Sequence, residues 1–200
     1  MNPFINFDKI EEYLPVYSLY RDNLANIFRK MDETYEAAAS SYGFICSGCE
    51  NSCCWTRFYH YTLIEFFYLF DGFQALNPIE RQILHTRSFN AVSKMESPLP
   101  GQRVMCPLNE AGRCGLYVYR PMICRLHGIP HELNHPLKGR CRGPGCCEFE
   151  NRCGDKPYIP FDRTQLYSDL AEIEKTFRLQ TGWHEKIRMT IAEILLCCQG

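Results

Sequence analysis

The chain has 200 residues, a length that fits one domain or one domain with helical extensions. With 46% hydrophobic and 22% charged residues it has a globular balance, which excludes a disordered chain. A net charge of −1 argues against a general nucleic-acid-binding surface, though not against a local basic patch. The longest apolar runs, such as Ile64–Phe70, are broken by Glu65 and Asp71, far short of a membrane span. The start, MNPFINFDKIEEYLP, has neither a basic n-region nor an apolar h-region, so no export signal is read and a cytoplasmic setting is expected.

The N-terminal stretch predicts one helix. Leu14, Tyr17, Leu24, Ile27, Phe28, Met31 and Tyr35 recur at three- and four-residue steps and form an apolar stripe. Pro15 falls near its expected start and Gly43 supplies a stop. Residues 62–75 predict a largely buried helix. Asn77-Pro78-Ile79-Glu80 combines a cap, a first-turn proline and an acid at the third position, opening a helix to about Glu96. A loop follows over Ser97–Gly101. Asn109-Glu110-Ala111-Gly112 is the turn of a small hairpin within Val104–Tyr119, and Arg120-Pro121 opens a short helix that contains Cys124.

Residues 128–160 are rich in Gly and Pro and show little periodicity, so an irregular segment held by metal bonds is expected there. A capping arrangement at Asp162–Gln165 starts a helix to about Gln180, ended by Gly182. A last helix is expected over about Trp183–Cys198. The expected fold class is mainly α: a helical domain with a small β-hairpin and long, cysteine-rich, metal-stapled loops. Three segments follow: an N-terminal helical part (1–43), a cysteine-cluster part (44–153) and a C-terminal helical part (154–200) packing on the same domain.

Thirteen cysteines are the compositional outlier, and eleven of them lie between Cys46 and Cys153. An odd number cannot pair completely within the chain. A chain this long can build a core without disulfides, so thiolate metal ligation is favoured over a disulfide scaffold. In Cys46-x2-Cys49-x3-Cys53-Cys54 the CxxC turn projects two sulfurs toward one centre. Cys53 lies seven residues from Cys46 and four from Cys49, one face of a helical segment. Adjacent side chains diverge, so Cys54 is directed to a second centre with Cys106, Cys114 and Cys141, or packs against Trp55. The hairpin brings Cys106 near Cys114, and Cys124 follows. Cys141-Arg-Gly-Pro-Gly-Cys146-Cys147 and Cys153 form a third motif, and Cys197-Cys198 read as packing thiols.

The order of these motifs resembles a known family. Cys46-x2-Cys49-x3-Cys53-Cys54, Cys106-Pro-Leu, Gly112-Arg113-Cys114, Leu116-Tyr117, Arg120-Pro121 and Cys124-Arg125 are similar to the bacterial and archaeal CxxCxxxCC cysteine-cluster family, described as zinc- or iron-chelating. The likeness spans roughly residues 44–145. The family's later cysteine in a glycine-containing loop resembles Cys141, whereas Cys146, Cys147 and Cys153 are extra to the pattern. Flagellin lysine methylases, which are longer chains, are similar in this cysteine pattern and carry an iron–sulfur cluster. The resemblance implies a redox or protein-modifying role, with a protein substrate or redox partner.

The expected ligands are therefore Cys46, Cys49, Cys53, Cys54, Cys106, Cys114, Cys124 and Cys141. Three closely spaced cysteines with a remote fourth favour a 4Fe–4S cluster; zinc in an interaction module without chemistry is the alternative. From Gly101 to Cys153, Arg103, Arg113, Arg120, Arg125, Lys138, Arg140, Arg142 and Arg152 outnumber four Glu. The simpler reading of this excess is compensation of an anionic thiolate centre, with Arg120 and Arg125 expected to serve it as cofactor-binding residues; a site for an anionic substrate or nucleic acid is the other reading. His127, His131 and His135 are spaced by four, but prolines interrupt any helix through them. The spacing is the reverse of the CxxxCxxC of radical enzymes that use S-adenosylmethionine. There is no P-loop, GxGxxG, GxSxG or HExxH motif.

Overall fold

The computed structural model describes residues 10–46, 53–97, 102–135 and 137–198. Eight α-helices appear among them: α1 (Ile10–Ser18), α2 (Arg21–Ser41), α3 (Leu63–Gln74), α4 (Pro78–Glu96), α5 (Met122–Leu126), α6 (Cys147–Cys153), α7 (Thr164–Thr181) and α8 (Ile191–Cys197). Two antiparallel hairpins, β1 (Asn109–Glu110) with β2 (Arg113–Cys114) and β3 (His131–His135) with β4 (Gly139–Gly143), are the sheets among these residues. The fold is mainly α, as the periodicity predicts. No helix among the described residues is long and apolar enough to cross a membrane.

Helix α3 is apolar almost all round, which places it at the centre. Leu63, Ile64, Phe66, Phe67, Leu69 and Phe73 are buried, and α1, α7, α8 and the turn Tyr117–Tyr119 pack around them. Phe67 stacks on Tyr17 (5.4 Å between ring centroids) and meets Phe177 edge-on. Gly72 is required where Tyr119 crosses α3, since a Cβ there would lie 2.5 Å from the ring. The Glu174 carboxylate accepts hydrogen bonds from the Leu63 and Ile64 N–H groups (2.8 and 2.9 Å), capping α3 from α7. Leu24 and Phe28 of α2, Phe149 of α6 and Leu195 of α8 join the same core, so all three sequence segments share it.

Several expectations need correction. The N-terminal stripe is carried by two helices. The Ser18 hydroxyl bonds back to the Pro15 carbonyl (2.7 Å), and i→i−3 bonds from Leu19 and Tyr20 close the turn before α2 begins. Burial of Ile10 extends α1 upstream, leaving Pro15 inside it. Gly43, at φ +62°, closes α2 as read: Phe44 N–H bonds Ala39 O and Gly43 N–H bonds Ser40 O.

The capping box at Asn77 and Glu80 starts α4 as read. The last helix is shorter than expected. Residues 183–190 are committed elsewhere: Met189 and His60 exchange backbone hydrogen bonds (2.7 and 3.0 Å), and α8 starts only at the Thr190–Glu193 capping box. Residues 128–160 are not irregular but hold β3, β4 and α6. That hairpin lacks apolar alternation because its buried position, Glu132, is satisfied by Arg140 and Arg142. Its backbone bonds onward to Phe161 and Arg163. Of the loop expected over Ser97–Gly101, residues 98–101 lie outside the described residues, as does Cys49.

Candidate metal centre

Three local structures carry the cysteines that meet. Cys53–Trp55 forms a single 3-10 turn, and the Cys54 carbonyl accepts a bond from Cys106 N–H (2.8 Å), tying this turn to the hairpin. Ala111 and Gly112, at φ 48° and 84°, make the two-residue loop between β1 and β2, the left-handed pair that matches strand twist. The Asn109 side chain accepts from Gly112 N–H (3.2 Å), and Leu108 and Leu116 anchor the hairpin in the core. Cys114 ends this hairpin opposite Asn109.

Cys124 sits on α5, which is clamped at both ends. The buried Glu65 carboxylate of α3 accepts Met122 N–H (2.7 Å) and the Thr62 hydroxyl, capping the helix start. Arg125 is 5% exposed. It pairs with Asp32 of α2 (2.5 Å), donates to the Arg120 (2.7 Å) and Val118 carbonyls, and lies over the Phe28 ring.

Cys53, Cys54, Cys106, Cys114 and Cys124 line one cavity of about 300 Å³. Its remaining wall is largely apolar, with Trp55, Phe58, Met95, Met105 and Ile191, and Arg120 and Arg103 supply positive charge. The neighbouring Cys54 thiol, then burial, push the Cys53 and Cys106 thiols up. Burial and the neighbouring Cys114 and Cys54 raise Cys124 to about 12, against an opposing pull from Arg120. Burial also raises Cys114, opposed by the Leu116 N–H, Arg120 and Arg125.

Without a metal these are protonated, enclosed sulfurs. Five soft donors around one void, with cations beside them, fit a thiolate-held metal group, because a bound cation stabilises each thiolate that burial otherwise disfavours. Among the described residues, no three His, Cys, Asp or Glu side chains stand close enough to hold a single ion. All twelve described cysteines are free thiols.

The expected ligand set is only partly gathered. Cys46 is exposed beyond α2 and bears electrostatically on Cys53. Cys141 lies mid-strand in β4, opposite Leu133, with its thiol toward the Gly139 carbonyl (3.6 Å), and does not line the cavity. Arg120 does line it, while Arg125 braces α5 against α2. Cys53 and Cys54, expected to diverge, sit in one 3-10 turn, and both line the cavity. Cys153, Cys197 and Cys198 are buried, and the thiols of Cys153 and Cys198 donate to the carbonyls of Tyr42 and Ile194. His127 meets Phe58 edge-on and His131 packs under Gly143.

Asp32 and Glu65 escaped the sequence reading. Asp32 lies 93 residues from the arginine it pairs with, and Glu65 sits in an apolar helix with no local sign of its partner. No family model matches the chain, and no curated protein or solved structure matches it.

Proposed function

We propose that the chain is a cytoplasmic metalloprotein that holds an iron–sulfur cluster, most simply 4Fe–4S, through cysteine thiolates. The observation that carries this reading is the cavity of about 300 Å³ with five cysteines on its wall. Both a zinc ion and an iron–sulfur cluster take four thiolates, and three closely spaced cysteines with a remote fourth are a familiar way to hold the cluster. Free thiols throughout the described chain suit a reducing compartment. The likeness to the CxxCxxxCC cysteine-cluster family supports the same donor chemistry. By that likeness, a redox or protein-modifying role on a protein partner is the biochemical setting.

A bound cluster supplies one-electron redox chemistry. The chain's own part is to position the thiols. Glu65 and Arg125 fix the helix that carries Cys124, the Ala111–Gly112 turn sets Cys114 on the cavity wall, and Arg120 faces the thiols with a positive charge. Iron, acid-labile sulfide and zinc analysis of anaerobically purified protein, with its visible spectrum, tests this. Brown protein with matched iron and sulfide is expected. Colourless protein with neither overturns the reading, and stoichiometric zinc replaces it with a zinc-stapled interaction module.

A further inference from the structure

The cysteines make up only part of the cavity wall. Helices α4 and α8 pack along each other and contribute Ala91, Met95, Ile191 and Ala192 to the rest of it. Ala91, Ile191 and Ala192 are buried, as is Leu108. Thr56, Arg57, Gln102 and Arg103 are exposed, so the lining runs from a charged, solvent-facing edge to an apolar floor. Trp55 and Phe58 add two aromatic faces, half-buried, between these extremes.

The basic excess of the sequence divides around this cavity. Arg125 is committed to Asp32, Arg140 and Arg142 to Glu132, and Arg152 to the Ile45 carbonyl. Arg103 and Arg120 line the cavity instead, joined by Arg57. Arg120 is shared with Asp32 (3.5 Å), whereas Arg103 is held over the Trp55 ring (5.6 Å to its centroid). No Asp or Glu is among the described residues that line the cavity. An apolar floor with cations at the edge and no carboxylate favours a molecule with an apolar body and an anionic head.

We propose that this cavity binds a small aromatic carboxylate, its ring on the apolar floor and its carboxylate at the edge with Arg57 and Arg103. The ring leaves water for buried apolar walls and the Trp55 and Phe58 faces, where aromatic contacts add to burial. The carboxylate stays at the exposed edge, so it forms charge-assisted bonds to guanidinium without the cost of full burial. An apolar cavity of roughly 150 Å³ takes one benzene ring. The cavity of about 300 Å³ therefore admits one ring and leaves space for a metal group on the sulfurs. The inference goes beyond the proposed metal function and does not depend on it.

The test is a ¹⁹F NMR titration of the full chain, purified anaerobically, with 4-fluorophenylacetate and with its uncharged counterpart 4-fluorophenylacetamide. One saturable 4-fluorophenylacetate site per chain is expected, with the amide about tenfold weaker. The double variant Arg57→Gln/Arg103→Gln is expected to bring the carboxylate to the level of the amide. Both arginines are exposed, so this variant keeps its fold, which an unchanged melting temperature checks. Ala192→Leu, which fills the floor, is expected to abolish binding of both probes. No saturable binding, equal affinity for the two probes, or an unchanged affinity in the arginine double variant overturns the inference. Iron, sulfide and zinc are measured on the same samples. Metal without probe binding overturns the inference alone, and probe binding without metal overturns the metal function alone.

Discussion

Glu65 shows how much one side chain can decide. It sits on the central apolar helix at 5% exposure, yet its carboxylate is the cap of the helix that presents Cys124. Burial raises its pKa above the ordinary carboxylate value, with the Thr62 and Met122 donors opposing. The folded chain therefore holds this proton more tightly than the unfolded chain does. The stabilisation is full below the unfolded value and is lost as pH rises through the folded one. Urea denaturation across acid to neutral pH is expected to show this decline in wild type and a flatter profile in Glu65→Gln. An equal slope in both proteins would assign the pH dependence to other groups.

The thiols make a second test at this scale. Burial holds Cys124 at about 12, so in metal-free folded protein at mildly alkaline pH it carries almost no thiolate, the reactive form. Alkylation followed by mass spectrometry should label the exposed Cys147 rapidly and Cys124 only after denaturant is added. Rapid labelling of Cys124 in the folded chain would contradict the enclosed site.

At the scale of elements, two capping boxes frame the helix pair that backs the cavity. Asn77 accepts from Ile79 and Glu80 N–H at the start of α4 (3.0 and 2.9 Å), and Thr190 with Glu193 starts α8, which packs along α4. Asn77→Ala and Thr190→Ala should each cost about 1 kcal/mol, read as a lower urea midpoint at unchanged slope. The two sites differ in consequence, because Thr190 itself lines the cavity and Asn77 does not. Thr190→Ala is therefore also expected to alter metal retention, while Asn77→Ala leaves it at the wild-type level.

Across the whole molecule, the parts expected to depend on the proposed metal are not those that the Gly- and Pro-rich composition suggests. Residues 128–160 are held by the β3–β4 ladder, by Glu132 with Arg140 and Arg142, and by Phe149 and Cys153 in the core. The stretch 102–127 has little regular structure of its own beyond a two-residue-strand hairpin and one short helix, and it carries Cys106, Cys114 and Cys124. Removing metal should lower the melting temperature and speed hydrogen exchange in 102–127, with 131–153 largely unchanged. Exchange that rises equally in both segments, or in neither, would break this link between ligation and local order.

Much of the fold was legible because its signals are local. The apolar faces of α3 and α7, the Asn77 box, the Ala111–Gly112 turn and the Gly43 and Gly182 stops each act within a few residues, where backbone sterics and capping decide the outcome. The crowding of cysteines likewise declared a thiol-rich site. Tertiary structure decided what depends on distant partners. The polar hairpin β3–β4 exists because Arg140 and Arg142 neutralise a buried Glu132, and residues 183–190 stay out of a helix as Met189 pairs with the His60 backbone and the Glu185 carbonyl accepts from Arg178. Which cysteines share the cavity was decided in the same way. Cys124 reaches the wall that carries Cys54, Cys106 and Cys114 through the clamps at Glu65 and Asp32, contacts between residues far apart in the chain that no spacing of cysteines encodes.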